Sequence, residues 1–300
     1  ATASVNTNVF RFTTSQWAMA VYQDEAQYDF ATRAIPNTWW SGMYRDVLAD
    51  LRESSRLINA DAALLPKEKA NKLAILDIME VYTFGILVNS FGNIPYTEAL
   101  NAEKLFPKYD DAKTVSADLI TRLNADIAKL DASAAGFTSG EDVVYKGSVT
   151  KWVKFANTLR MKLAMIVADE NASAAKTAVE ASDAGAISAS TDNGLFTYLS
   201  ASPNQNPLHV DIVLGGRQDY IAAKDLMDKL TGWNDPRKTA YFSTNNAGNY
   251  AGGIVGKVNT YVDFSRAGAK VVAADAPYVL ADYVETEFLR AEAKERGFNV

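Results

Sequence analysis

Cysteine is absent from the 300-residue sequence, and histidine occurs once, at His209. Without cysteine there is no disulfide scaffold, no thiol nucleophile and no thiolate metal site. One histidine makes a multi-histidine metal centre impossible and leaves a triad incomplete. His209 sits beside Pro207 in a polar loop and reads as a histidine touching solvent or a carbonyl. No run of about 18 apolar residues offers a membrane span. Positive charge is scarce as well: 30 Lys+Arg against 36 Asp+Glu give a net charge of -6. A nucleic-acid surface needs clustered cations to displace counterions from phosphate, so that class is set aside. Phosphate-cradling glycine loops are missing too, since Gly252-Gly-Ile-Val-Gly256 lacks both the spacing and a following helix. The 48% hydrophobic content can still bury a real core, in one large domain or two intimate ones.

What is present is mostly helical pattern. Residues 1–15 are polar, Thr/Asn-rich and expected to be irregular. Trp17 to Phe30 fits a helix or an ordered loop, because Trp17, Tyr22, Tyr28 and Phe30 keep no clean period. From Trp40 to about Ala60, Met43, Tyr44, Val47, Leu48, Leu51 and Leu57 recur at helical spacing. Pro66 suits the first turn of a helix running to about Asn89, and Thr114 or Ser116 opens the next, through Leu130. Ser148 is a good N-cap, and behind it Val149, Trp152, Val153, Ala156, Leu159, Leu163 and Ile166 form one buried stripe. Trp152 reads as core. Lys151, Lys154, Arg160 and Lys162 fall mostly off the stripe, on a basic outer face, while Asn157 is a poor helix former in mid-helix. Ala172 to Asp183 reads as a helix with Gly185 as its left-handed terminator. A last helix starts at Asp282 and Glu285, pairs Glu292 with Arg296, and ends at Gly297.

Short loops between long helices make neighbours antiparallel, so helical hairpins are the natural unit. A 34-residue self-similarity is only faint. Two segments break the helical regime, 186–220 and 231–280, with turn signals such as Asn193-Gly194, Gly215-Gly216 and Asn234-Asp-Pro236. Val255–Val262 is the one strand candidate there. Long loops of this kind are disproportionately functional.

The run Trp152-Val-Lys-Phe-Ala-Asn-Thr-Leu-Arg-Met-Lys-Leu-Ala-Met165 resembles the signature helix of the SusD/RagB-like family, the nutrient-binding outer-membrane lipoproteins of Bacteroidetes. Three further stretches are similar to that family, in its order. They are Phe84 to Tyr96, then Asn206-Pro-Leu208 with Arg217-Gln-Asp-Tyr220 and Asp235-Pro-Arg237, and finally Glu285 to Gly297. Together they span roughly residues 40 to 297, closest to the starch-binding-associated branch. The resemblance implies a mainly α fold of tetratricopeptide-like stacked helical hairpins with long irregular ligand-binding loops. It implies one domain over 1–300, with a helical core at about 40–185 and 281–297 and a loop-rich insert at about 186–280. Relatives begin with a signal peptide and a lipidated cysteine and run on past the last helix, so the chain is expected to be a fragment.

The function so implied is non-enzymatic: capture of an oligosaccharide or glycan at the extracellular face of the outer membrane, and delivery to a SusC-like TonB-dependent transporter. Membrane contact would come only through an N-terminal lipid outside this sequence. The same fold binding peptides or other nutrients, and a purely structural helical-repeat scaffold, are the alternatives. Acidic pairs that a glycosidase could use, Asp24-Glu25, Asp110-Asp111 and Glu285/Glu287, read as solvated surface. Asp/Asn-rich loops offer oxygen donors of the kind calcium takes, but no D-x-D-x-D-G loop occurs, and no cofactor or metal is expected.

A sugar ring has an apolar C–H face for an aromatic platform and hydroxyls for Asn, Gln, Asp or Arg. Asn37-Thr-Trp-Trp40 leads on that ground, since two consecutive indoles cannot share one core stripe. Family members often keep a core Trp four residues before the helix Tyr, here Trp40 before Tyr44, which leaves Trp39 the more open of the two. Tyr28, Arg33, Arg217, Gln218 and Tyr220 complete the candidate contacts, with Arg217 and Asp219 also able simply to tie a loop.

Overall fold

The computed structural model describes residues 10–300; the earlier part of the N-terminal stretch expected to be irregular lies outside the described residues. The chain opens with α1 (Phe10–Thr13) and β1 (Trp17–Met19), and then α2 (Ile35–Met43) runs through a π-helical stretch, Tyr44–Leu48, into α3 (Ala49–Ala60). Next come α4 (Pro66–Phe91), β2 (Ile94–Pro95), β3 (Tyr109–Asp110), α5 (Ala112–Lys129), α6 (Val149–Ile166) and α7 (Ala172–Asp183). After β4 (Gly194–Phe196) and β5 (Tyr220–Ala222) follow α8 (Lys224–Gly232), α9 (Lys238–Tyr241), β6 (Phe242–Ser243) and β7 (Arg266–Ala267). The chain closes with β8 (Tyr278–Ala281) and α10 (Tyr283–Glu295). These elements fall into two compact units, one of residues up to Trp40 with Thr197–Tyr278, the other of Ser41–Phe196 with Val279–Val300.

The second unit is the expected stack of helical hairpins. Each helix from α3 to α7 packs on the next, and α10 returns to α6 and α7. Pro66 takes the first turn of α4, and Gly92 ends that helix at φ 74°, where a side chain would be strained. By length and composition α4 could cross a bilayer, but Ile78, Val81, Phe84 and Leu87 are fully buried inside the unit. It is a core helix. Asp111 caps α5 through Thr114 N at 3.0 Å, so the helix starts before the expected Thr114.

Helix α6 buries most of the stripe read from the sequence, with Trp152 2% exposed, Ala156 0%, Leu159 4% and Leu163 7%, but Ile166 at its end is 50% exposed, and Phe155, off the stripe, is fully buried. Ser148 caps it through Lys151 N at 3.4 Å. The Trp152 indole donates to Asp142 at 2.9 Å, and the same carboxylate accepts the Val144, Tyr145 and Gly147 N–H groups. One buried acid thus ties the entry loop to the helix it feeds. Two sequence expectations are corrected here. Arg160 is not on the outer face; it is 7% exposed and donates to Ser182 Oγ (2.8 Å), Asn124 Oδ1 (2.6 Å), Asn157 Oδ1 (2.8 Å) and the Ala181 carbonyl (2.7 Å). Gly185 is not left-handed either. Its hydrogen makes room for Asn157, whose Nδ2 would lie 2.8 Å from an added Cβ. Asn157 in turn donates to Val153 O at 2.8 Å, so the poor helix former orients a guanidinium that joins α5, α6 and α7.

Between α4 and α5, Arg122 grips Asp77 and reaches Glu80 at 3.3 Å, while Lys129 approaches Asp126 at 3.2 Å. Burial, and then the neighbouring Asp77 carboxyl, pushes Asp126 up to about 8, and its Oδ2 is buried without a hydrogen-bond partner among the described residues. Burial opposes ionisation of Asp77 too, but the Arg122 bond holds that group below the ordinary range. A carboxyl whose pKa rises on folding does not oppose folding below its unfolded value, near 4. It penalises the fold increasingly as pH climbs from there towards the folded value. From about pH 5 to pH 8 the protein should lose about 1–3 kcal/mol relative to Asp126→Asn, read from urea midpoints. Parallel pH profiles for the two proteins would refute the upward shift of Asp126 on folding.

The first unit packs Phe12, Trp17, Met19, Ile35, Leu208, Tyr220, Met227 and Phe242 into one cluster. Its spine is the antiparallel pairing of β1 with β5, Trp17 opposite Ala222 and Met19 opposite Tyr220. Residues 10–13, expected to be irregular, form one helical turn because Phe12 is buried and Thr14 Oγ1 donates back to Phe10 O at 2.6 Å. Trp17 to Phe30 is resolved in favour of the ordered loop, a short strand followed by the 3-10 turn Glu25–Gln27. Val255–Val262 is not a strand. Asn259 takes the backbone into turns by donating to the Met19, Ile254 and Lys257 carbonyls and accepting Ile254 N.

Candidate ligand-binding site

In the first unit a cleft of about 260 Å³ is lined by Arg11, Tyr198, Asn206, Leu208, Lys270, Val271, Ala276, Pro277 and Tyr278. Its volume lies near the lower end of ligand pockets, roughly 300–1,000 Å³, so it suits a single sugar unit better than an extended chain. Asn206 builds the wall. It is 4% exposed, and its amide donates to the Val271 and Ala273 carbonyls at 3.0 Å and accepts Leu208 N at 3.0 Å. His209, three residues on, bonds the Val272 carbonyl through Nδ1 at 3.0 Å, as expected, but it opens a π-helical stretch, His209–Leu214, and does not sit in a loop. Carbonyls of segment 271–274 are thereby pinned to one turn of chain, Asn206–His209, just before Pro277 and Tyr278 of the lining. Burial, then the neighbouring Tyr278, raises the Tyr198 phenol above its ordinary range, so it keeps its proton at neutral pH as a hydroxyl donor and acceptor.

The candidate residues from the sequence lie elsewhere in this unit. Trp39 is 7% exposed, with Phe10 edge-on at 5.8 Å, and Tyr220 is 4% exposed, stacked on Phe12 at 5.9 Å. Both are corrected from open platforms to packing residues, because a ring covered on this scale has no face to lend. Trp40 is half-buried, the reverse of the expected ranking of the two indoles. Arg33 and Arg217 come together with Tyr220, whose phenol burial pushes up to about 12 against the pull of Arg217. Their forks are engaged: Arg33 pairs with the fully buried Glu25, and Arg217 bonds Asp219 at 2.7 Å and lies 4.9 Å from the Tyr220 ring centroid. Arg217 and Asp219 therefore do tie a loop. Tyr28, Asn37 and Gln218 are exposed, Tyr28 at φ 64° with Phe30 edge-on at 6.2 Å. Sequence reasoning misses the cleft itself, since Arg11 and Tyr278 are remote in the chain; the turn-rich Ser202–Pro207 run is its one local signal.

The acidic pairs are not simply the solvated surface expected, since Glu25 is 0% exposed and most of their members are held in structural bonds. Glu25 is the Arg33 partner, Asp110 accepts Tyr96 N and Thr97 N, Asp111 is the α5 cap, and Glu285 and Glu287 pair with Lys162 and Arg290. Among the described residues no cluster of three or more His, Asp or Glu could hold a metal ion.

The fold has relatives of known structure. A chitin-binding protein superposes with a TM-score of 0.76 at 22% identity, over 96% of this chain and 64% of that one. A SusD-like protein from Bacteroides thetaiotaomicron gives 0.80 at 21%, over 98% and 62%. A chitin-binding SusD homologue from Flavobacterium johnsoniae gives 0.77 at 23%, over 99% and 62%. The chain thus spans less than two thirds of the length of these structures, and at such identities the likeness establishes the fold. No curated protein sequence matches it. The family model described as SusD-like, "Starch-binding associating with outer membrane", matches residues 1–300 from end to end, and with that match this chain belongs to the SusD-like family.

Proposed function

We propose that the protein captures a glycan at the outer face of the outer membrane, held there by a lipid, and hands it to a SusC-like TonB-dependent transporter without chemical change. The family match over the whole chain is the observation that carries this reading, and the cleft with Tyr198 and Tyr278 in its lining supports it. Chitin binding is named for two proteins of the same fold, which favours glycan over peptide as cargo. Tyr198 and Tyr278 act as the ring platforms and hydroxyl contacts. Tyr28, Asn37, Trp40 and Gln218, outside the cleft lining, are the further candidates for contact with a longer chain.

An aromatic contact is worth about 0.5–1.5 kcal/mol and a hydroxyl hydrogen bond about as much again. Tyr278→Ala should therefore weaken binding of the best ligand in an oligosaccharide panel about 5- to 30-fold by calorimetry. Undiminished affinity in a folded Tyr278→Ala protein would move the site out of the cleft. Failure of every glycan alongside clear peptide binding would overturn the cargo.

A further inference from the structure

The cleft is electrostatically unlike the molecule that carries it. The chain as a whole is acidic, at -6, yet two cations, Arg11 and Lys270, line this cleft and no carboxylate does. Asp275, beside Ala276 in sequence, is exposed and is not part of the lining. Neither cation forms an ion pair among the described residues, although most Lys and Arg side chains here do.

Arg11 is the telling group. Its Nη1 is buried without a hydrogen-bond partner among the described residues. Every other arginine donates at least one side-chain hydrogen bond. The guanidinium lies 5.3 Å from the Trp17 ring centroid, a contact that uses none of its N–H donors. Burial draws its pKa down, and the neighbouring Tyr278 only partly offsets this. Such a group is unfavourable until an anion arrives, and a planar fork pairs best with a carboxylate or a comparable oxyanion. Lys270, exposed at the rim, adds a second charge that attracts the same anion on approach.

We propose that this cleft selects acidic sugars: the bound unit carries an anionic group, a carboxylate or a sulfate ester, which pairs with Arg11 while the ring rests against Tyr198 and Tyr278. The inference rests on the glycan-capture reading above and adds the class of glycan.

The test is calorimetric titration of the full chain against length-matched neutral, uronate-bearing and sulfated oligosaccharides and an acidic peptide. At least one acidic glycan should bind tenfold or more tightly than its neutral counterpart. That advantage should shrink several-fold between about 50 and about 500 mM salt, because paired charges are screened and a stacked ring is not. The uronate and sulfate arms separate the two sources of charge. Arg11→Gln should reduce the acidic-to-neutral affinity ratio about tenfold. Should that variant unfold, Lys270→Glu, at an exposed position, should reduce the ratio about threefold or more. Neutral glycans binding as well as acidic ones, or ratios unmoved in a folded variant, would overturn this inference while leaving glycan capture intact. Preference for the acidic peptide over every glycan would overturn both.

Discussion

Trp152→Ala should lower the unfolding free energy by about 3–5 kcal/mol, the range for emptying a large aromatic site in a packed core. The ring is 2% exposed, with Tyr145 edge-on at 5.2 Å and Phe155 at 5.3 Å, so little nearby can collapse into the space. A second loss adds to the cavity. The indole N–H is one of four donors on Asp142, itself 5% exposed, and a buried carboxylate that loses a donor is further from compensation. Trp152→Phe separates the two effects: it keeps most of the volume and should cost only about 1–2 kcal/mol. Urea denaturation of both variants measures this. Equal losses would show that the hydrogen bond, and not the packing, dominates.

Arg160→Met is the second large effect, at about 2–4 kcal/mol, and its origin is polar. Methionine can fill the channel, but it leaves the Ala181 carbonyl, the Asn124 and Asn157 amide oxygens and Ser182 Oγ short of a donor. Arg160→Lys keeps the charge and should recover little, because one ammonium cannot reach acceptors arranged around a planar fork. A lysine variant as stable as wild type would show that charge alone, rather than fork geometry, holds the three helices together.

These two residues lie on one helix and show where sequence reading succeeds and where it stops. Trp152 falls on the stripe of period 3.6, and that stripe is a local property of the chain, so its burial was legible. Arg160 falls off the stripe, and amphipathicity alone assigns it to solvent. What buries it is the end of α7, contributed by Ala181 and Ser182, and no helical period encodes a neighbour's carbonyls. Gly185 defeats sequence reading for the same reason: a glycine after a helix usually supplies a left-handed cap, but this one makes room for Asn157.

The binding cleft was illegible in a stronger sense. Its floor and rim come from Arg11, from Tyr198 to Leu208 and from Lys270 to Tyr278, three segments joined only by tertiary packing. Consecutive tryptophans at 39 and 40 stand out because their clash of directions is visible in one line of sequence. An arginine that bonds nothing among the described residues becomes visible only in the folded structure.

The strand pairing of the first unit also dictates an order of events during synthesis. Trp17 pairs with Ala222, so the first strand leaves the ribosome about 200 residues before its mate, a wait on the order of 10–40 s. Until then Trp17, Ala18 and Met19, all buried in the finished protein, stand as an unpaired apolar edge, the kind of surface that other chains recruit. The helices from Ala49 to Asp183 are made in the interval and lie mostly next to their sequence neighbours, so they can close first. The nascent protein therefore has a natural client window for a holding chaperone, open from the emergence of Trp17 until Ala222 appears.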